Sequence, residues 1–239
     1  MYRERPSRVP GAAVWTADPT GDEYRVLPDG CMDIIWSTDG TLLVAGPDTT
    51  AFLTSGTPGT TLTGIRFAPG FAPMLLRVPA HELRDQRADL DAIVPTSVAH
   101  RLADRLTASA DPGSVLEDIA IDIAASEQVE LIAAGARHGM AVHVIARDLG
   151  LSPRQLQRRC LDAFGYGAKT LARILRMNRA LDIVRSGVAY ADAAARAGYA
   201  DQPHLARDVK ALTGVPLGQL VPDAAKSSTE LPSGSWTAA

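Results

Sequence analysis

The chain has 239 residues, 46% of them hydrophobic, and a formal net charge of −3; that supports one large or two modest packed cores. No apolar run approaches the ~20 residues needed to span a bilayer, and the charged start MYRERPSRVP lacks the apolar core of an export signal, so a cytoplasmic chain is expected. Two widely separated cysteines, Cys31 and Cys160, fit buried thiols in a reducing compartment and cannot alone form a structural zinc site.

The average charge hides an asymmetry. Residues 1–126 carry 10 Lys and Arg against 17 Asp and Glu, net −7, whereas residues 127–223 carry 13 against 9, net +4. Only the second part is suited to meet phosphate.

In chain order, residues 1–80 are rich in Gly, Pro and Thr. Strands are predicted over 24–27, 31–36, 41–45 and 62–67, with a turn at Pro28-Asp29-Gly30 and a loop over 54–61. A small antiparallel sheet or partial barrel follows from this pattern. A short helix is predicted over 71–78. Residues 96–108 place Val98, Leu102 and Leu106 on one helical stripe. A second helix over 115–125 does the same with Leu116, Ile119 and Ile123. Asp111-Pro112 offers a helix N-cap with Pro in the first turn. These two helices either cover the sheet or form a subunit interface. A helix begins the basic part over 127–137, and residues 169–185 form a long strut. After Pro222 the composition predicts disorder.

Two segments around that strut share one design. In the first, Val144, Ile145 and Leu149 form an apolar helix face, Gly150 turns the chain, and Ser152 is an N-cap with Pro153 behind it and Gln155 at the capping-box position. Leu156, Cys160 and Phe164 point inward. Arg154, Gln157, Arg158 and Leu161 form the outer face, flanked by Gln155 and Arg159. In the second, residues 191–197 form an Ala-rich helix, Gly198 turns, and Asp201 caps the next helix. Leu205, Val209 and Leu212 point inward, Gln202, Pro203, His204 and Arg207 outward, and Lys210 follows. Arg reads guanine and Gln reads adenine in the major groove, so two helix-turn-helix units on a stiff connector suit successive major-groove segments about 34 Å apart. A solvated polar helix face is the competing reading for either unit alone.

Over about residues 127–221 the chain resembles the AraC/XylS family of transcription regulators. The carrying residues are Ile145-Ala146, Leu149-Gly150-Leu151-Ser152, Leu156, Arg158 and Phe164-Gly165. The second set is Ala194, Ala197-Gly198-Tyr199, Asp201-Gln202, His204, Arg207, Lys210 and Gly214. Cys160 and Val209 stand where the family usually has Phe, Ala168 where Pro is common, and Pro216 falls one position early. The resemblance implies that Arg158, Arg207 and Lys210 contact DNA. Leu27 through Trp36, Gly64-Ile65-Arg66-Phe67, Pro69-Gly70, Val78-Pro79-Ala80 and Glu82-Leu83 resemble an N-terminal domain of one subgroup, which implies effector sensing or dimerisation.

The expected α+β organisation is an N-terminal sensor or dimerisation domain over 1–126, an all-helical DNA-binding domain over 127–223 and a tail over 224–239. The DNA-contacting set is Ser152, Arg154, Gln155, Gln157, Arg158, Arg159, Gln202, Pro203, His204, Arg207 and Lys210. Trp15, Tyr24, Cys31, Trp36, Arg66 and Phe67 are core residues or line an effector pocket, where Arg66 pairs with an acidic ligand or with Asp33. A metal site from His81, Glu82, Asp85 and His100 is disfavoured, because such residues are more often solvated. No phosphate loop or Ser/His/Asp grouping stands out, so no catalytic residue or cofactor is assigned. A thiol enzyme using Cys31 is the alternative from another class, though Asp29 and Asp33 oppose a reactive thiolate. Expected partners are promoter DNA, a small-molecule effector, RNA polymerase if the chain activates, and a second copy; a ligand-independent regulator that only dimerises through its N-terminal part is the other alternative.

Overall fold

The computed structural model describes residues 2–221; the predicted disordered tail lies outside them. The N-terminal elements are β1 (Tyr2–Pro6), β2 (Ala13–Ala17), β3 (Tyr24–Val26), β4 (Met32–Ser37), β5 (Leu42–Ala45), β6 (Phe52–Thr54), β7 (Leu62–Phe67), α1 (Ala72–Leu76), β8 (Arg87–Asp89), α2 (Thr96–Ala108) and α3 (Pro112–Asp118). Seven helices follow: α4 (Glu127–Arg137), α5 (Val142–Asp148), α6 (Pro153–Phe164), α7 (Ala168–Arg185), α8 (Tyr190–Ala197), α9 (Gln202–Thr213) and α10 (Leu217–Leu220). The fold is α+β: an open antiparallel sheet in the order β1-β2-β7-β4-β5-β8, a separate β3-β6 pair, and then helices.

Strand alternation divides the sheet into two faces. Register sets Ile34 opposite Ile65, Met32 opposite Phe67 and Val14 opposite Ile65. These residues, with Trp36 and Val44, form one core with Leu76, Leu102, Leu106 and Leu116. The other face carries Asp33, Arg66, Gly64 and Trp15. The Trp15 indole lies so close over Gly64 that an added Cβ would sit 2.3 Å from it, so that register position requires glycine. A second core gathers Ile132, Leu156, Cys160, Phe164, Leu171, Ile174, Leu181, Leu205 and Val209, and it also takes in Leu27.

Strands β1 and β2 carried no sequence prediction. The charged segment YRERP has no apolar alternation and is a strand only because residues 2–6 pair with 13–17. The helix expected over 115–125 instead spans Pro112–Asp118. Beyond it Ala120 N–H donates to the Glu117 carbonyl and Ile123 N–H to the Ala120 carbonyl, tight turns that end the helical ladder. The predicted Asp111 cap is present, with its side chain accepting from Ser114 N–H.

Candidate nucleic-acid interface

In the first helix-turn-helix unit Gly150 takes φ 64°, the left-handed conformation the turn needs. Ser152 Oγ accepts from Gln155 N–H at 3.3 Å, and Gln155 Oε1 accepts from Ser152 N–H at 2.8 Å. This reciprocal capping box fixes where α6 begins and commits both groups to the helix end. Leu156, Cys160 and Phe164 are buried, which leaves Arg154, Gln157 and Arg158 exposed on the opposite side. Leu161, predicted on that outer face, is only half-exposed. Arg159 donates to Gln128 of α4, so its role at the flank is at least partly to brace α6. Burial pushes the Cys160 thiol up to about 11, so this side chain acts as core filler.

The second unit repeats the plan without a capping box. Gly198 takes φ 83°, and Asp201 Oδ1 accepts from His204 N–H at 2.6 Å. Leu205, Val209 and Leu212 are buried, whereas Gln202, Pro203, Arg207 and Lys210 are exposed. His204 is half-buried, with its ring edge-on to Tyr199 at 5.0 Å. Among the described residues Arg154, Arg158, Arg207 and Lys210 make no ion pair with protein, so their charge is open to an external anion. On α6 Arg154 and Arg158 lie in the first half of the helix, whereas on α9 Arg207 lies mid-helix and Lys210 in the last turn. Helix α7 joins the units; its 18 residues span about 27 Å.

A polar brace behind α9 was not apparent in the sequence. Asp208, within that helix, is buried. Its carboxylate pairs with Arg173 and Arg176 of α7 and accepts from the Tyr199 hydroxyl at 3.0 Å. Arg176 also lies over the Tyr199 ring at 4.3 Å. Arg179, one turn further along α7, donates to the Arg137 and Ala197 carbonyls. Arginines at 173, 176 and 179, spaced along one helix beside a lone acid in α9, were the available signal.

The six residues grouped as an effector pocket do not line one cavity. Trp36 and Phe67 lie on the sheet face packed by α2 and α3, Trp15 and Arg66 lie on the other, and Tyr24 belongs to the separate β3-β6 pair. The period-2 alternation of strands causes this split. Arg66 meets Glu4 at 3.4 Å, Asp29 at 3.5 Å and Asp33 at 3.4 Å. Burial works against its charge, but Asp33 and Asp29 outweigh this and raise its pKa. Burial likewise lifts Asp33 to about 6, with Arg66 pulling the other way. Of the two sequence readings for Arg66, pairing with Asp33 is the one present. Cys31 is buried, and its backbone N–H donates to Asp29 Oδ1 at 2.8 Å. His81 lies 3.6 Å from Asp162 and Asp85 holds Thr49; among the described residues no three His, Cys, Asp or Glu side chains are grouped to hold a metal ion. No helix of the described residues is long and apolar enough to cross a membrane.

Comparison with a family model agrees with the helix-turn-helix geometry. Residues 145–221 match the model of a Helix-turn-helix domain, and residues 12–89 match that of a Domain of unknown function (DUF6597). No curated protein matches the chain. Among solved structures, the chain is similar to an apo ToxT variant from Vibrio cholerae strain SCE256, at 13% identity and TM-score 0.48 over 90% of this chain and 98% of that one. It is also similar to ToxT from Vibrio cholerae O395, at 11% identity and TM-score 0.47 over 88% and 98%. Unsaturated fatty acid bound wild-type ToxT from Vibrio cholerae gives 12% identity and TM-score 0.45 over 87% and 93%. The helix-turn-helix domain that α5 to α10 build is of the AraC type, and the N-terminal unit is of the DUF6597 type.

Proposed function

We propose that the chain is a sequence-specific transcription regulator that binds promoter DNA through both helix-turn-helix units. The observation that carries this reading is the exposure of cations and amides on both helices, Arg154, Gln157 and Arg158 in the first half of α6 and Gln202, Arg207 and Lys210 along α9, with no ion pair from these cations among the described residues. Arg154, Gln157 and Arg158 read or clamp one major-groove segment. Gln202, His204 and Arg207 serve the next, with Lys210 on phosphate. Ser152 and Gln155 act through the capping box that sets the α6 reading end, Asp201 and Pro203 do the same for α9, and Arg159 braces α6. The acidic N-terminal part regulates and does not touch DNA. An effector, on this reading, acts by shifting how that part sits on the helical units, because the six aromatic and polar residues first grouped as a pocket face different ways.

The test is selection of genomic fragments with purified chain, followed by binding to the enriched site at several salt concentrations. A recurrent motif bound with a steep salt dependence, about one unit of slope per phosphate contact, supports the reading. Failure to enrich any sequence over bulk DNA refutes sequence-specific binding by the chain alone.

A further inference from the structure

The two reading helices end in the same way, and the N-terminal unit meets both ends. Helix α6 stops at Gly165, φ 78°, and α9 at Gly214, φ 78°. Each leaves its last carbonyls without an intrahelical partner. Arg84 donates to the Gly165 carbonyl at 3.3 Å, and Arg25 donates to the Thr213 carbonyl at 2.8 Å. A cation at a helix C-terminus is the favourable sign for the dipole. Beside Arg25, the Ala51 N–H donates to the Leu212 carbonyl at 2.7 Å. Beside Arg84, the Pro47 ring sits where a Cβ on Gly165 would be, 2.6 Å away, so glycine is needed there both for its backbone conformation and for this approach. Between these anchors Asn178 of α7 donates to the Pro28 carbonyl at 2.8 Å, and Gly30 lies against Leu171 and Tyr166.

The N-terminal unit therefore touches the far end of α6 from the segment before β8, the middle of the strut α7 from Pro28, and the far end of α9 from the β3-β6 pair. Arg154, Gln157 and Arg158 of α6 and Gln202, Arg207 and Lys210 of α9 remain exposed, Lys210 in the last turn itself, so the docked unit leaves them open to DNA. We propose that Arg25 and Arg84 are positioning residues: through them the N-terminal unit fixes the separation of the two reading helices and so selects the spacing between half-sites. This rests on the reading that both units bind DNA. Strut flexing and reorientation of either unit would each have to break one of these caps.

The experiment is selection from a random duplex library of about 40 base pairs, four helical turns, with the full chain and with Arg25→Ala/Arg84→Ala. Each cap is worth a factor of about 2 to 5 in an equilibrium, so the wild-type chain is expected to favour one spacing over its neighbours by roughly tenfold. The double variant is expected to enrich the same two half-sites at several spacings, with that preference below about threefold. A purely structural role would lower affinity at every spacing alike and leave the preferred one unchanged, which overturns the proposal. Lysine at both positions restores the cation and is expected to recover most of the preference. Should the double variant bind nothing, each single alanine variant is read in the same way, and an unchanged spacing in both overturns the proposal. A wild-type chain that enriches a single half-site motif overturns the two-unit reading beneath it, an outcome distinct from two half-sites whose spacing ignores the arginines.

Discussion

Asp208 offers a direct measure of how firmly α9 is held. Its side chain is 8% exposed and sits between Arg173 and Arg176, which are 40% and 30% exposed. Asp208→Ala removes both ionic contacts and the acceptor of the buried Tyr199 hydroxyl. Stranding that hydroxyl costs about 1–3 kcal/mol. The arginine contacts add about 1 kcal/mol or less each, since both guanidiniums reach water. Release of a desolvated carboxylate offsets part of this, leaving a net loss of about 2–3 kcal/mol. For a chain of this size that lowers Tm by roughly 4–10 °C. Asp208→Asn keeps an acceptor for Tyr199 and is expected to lose about half as much. Thermal melting of the two variants measures this, and binding to separate half-site duplexes shows where the damage lands: α9 contacts weaken while α6 contacts hold. An alanine variant melting within about 1 °C of the wild type would refute the view that this brace orients α9.

Arg154→Ala combined with Gln157→Ala is expected to weaken binding to the enriched site more than to bulk DNA, by about 1–3 kcal/mol for each lost base contact; equal loss on both would remove these residues from base reading. Lys210→Ala is expected to weaken binding to all sequences and to flatten the salt slope by about one unit, and an unchanged slope places Lys210 away from phosphate. Glu117 gives a pH signature. Burial alone would raise its pKa, but hydrogen bonds from Arg5 and Arg8 outweigh that and hold it at about 2. A carboxylate whose pKa is depressed on folding stabilises above its unfolded value and loses that contribution as the pH falls. The Tm difference between wild type and Glu117→Gln is therefore expected to be full above about pH 4.5 and to shrink toward pH 2; a difference independent of pH would mean that Glu117 acts by packing alone.

Most of the helical half was legible because its signals are local. The Ser152–Gln155 box, the turn glycines Gly150 and Gly198, and the inward stripe Leu156, Cys160, Phe164 all sit within a few residues of what they control. Helices α2 and α4 matched their predicted bounds for the same reason. The features that escaped are long-range. β1 exists only through pairing with β2, and alternation turns Trp36 and Phe67 to the opposite face from Trp15 and Arg66. The arginine caps run from side chains to backbone carbonyls, as from Arg25 to Thr213, 188 positions apart, and a carbonyl acceptor leaves no mark in residue type. The Asp208 brace escaped as well, although residue chemistry carried a signal for it: an acid beside Val209 on the buried side of a helix needs a partner, and Arg173 and Arg176 supply it.

The central claim is that α6 and α9 read one DNA duplex together. Hydroxyl-radical footprinting on the enriched site tests it most directly. Two protected clusters on one face, about one helical turn apart, are predicted, with Arg154→Ala/Gln157→Ala erasing one and Arg207→Ala/Lys210→Ala erasing the other. A single protected cluster, or two that both ignore one pair of substitutions, would contradict it.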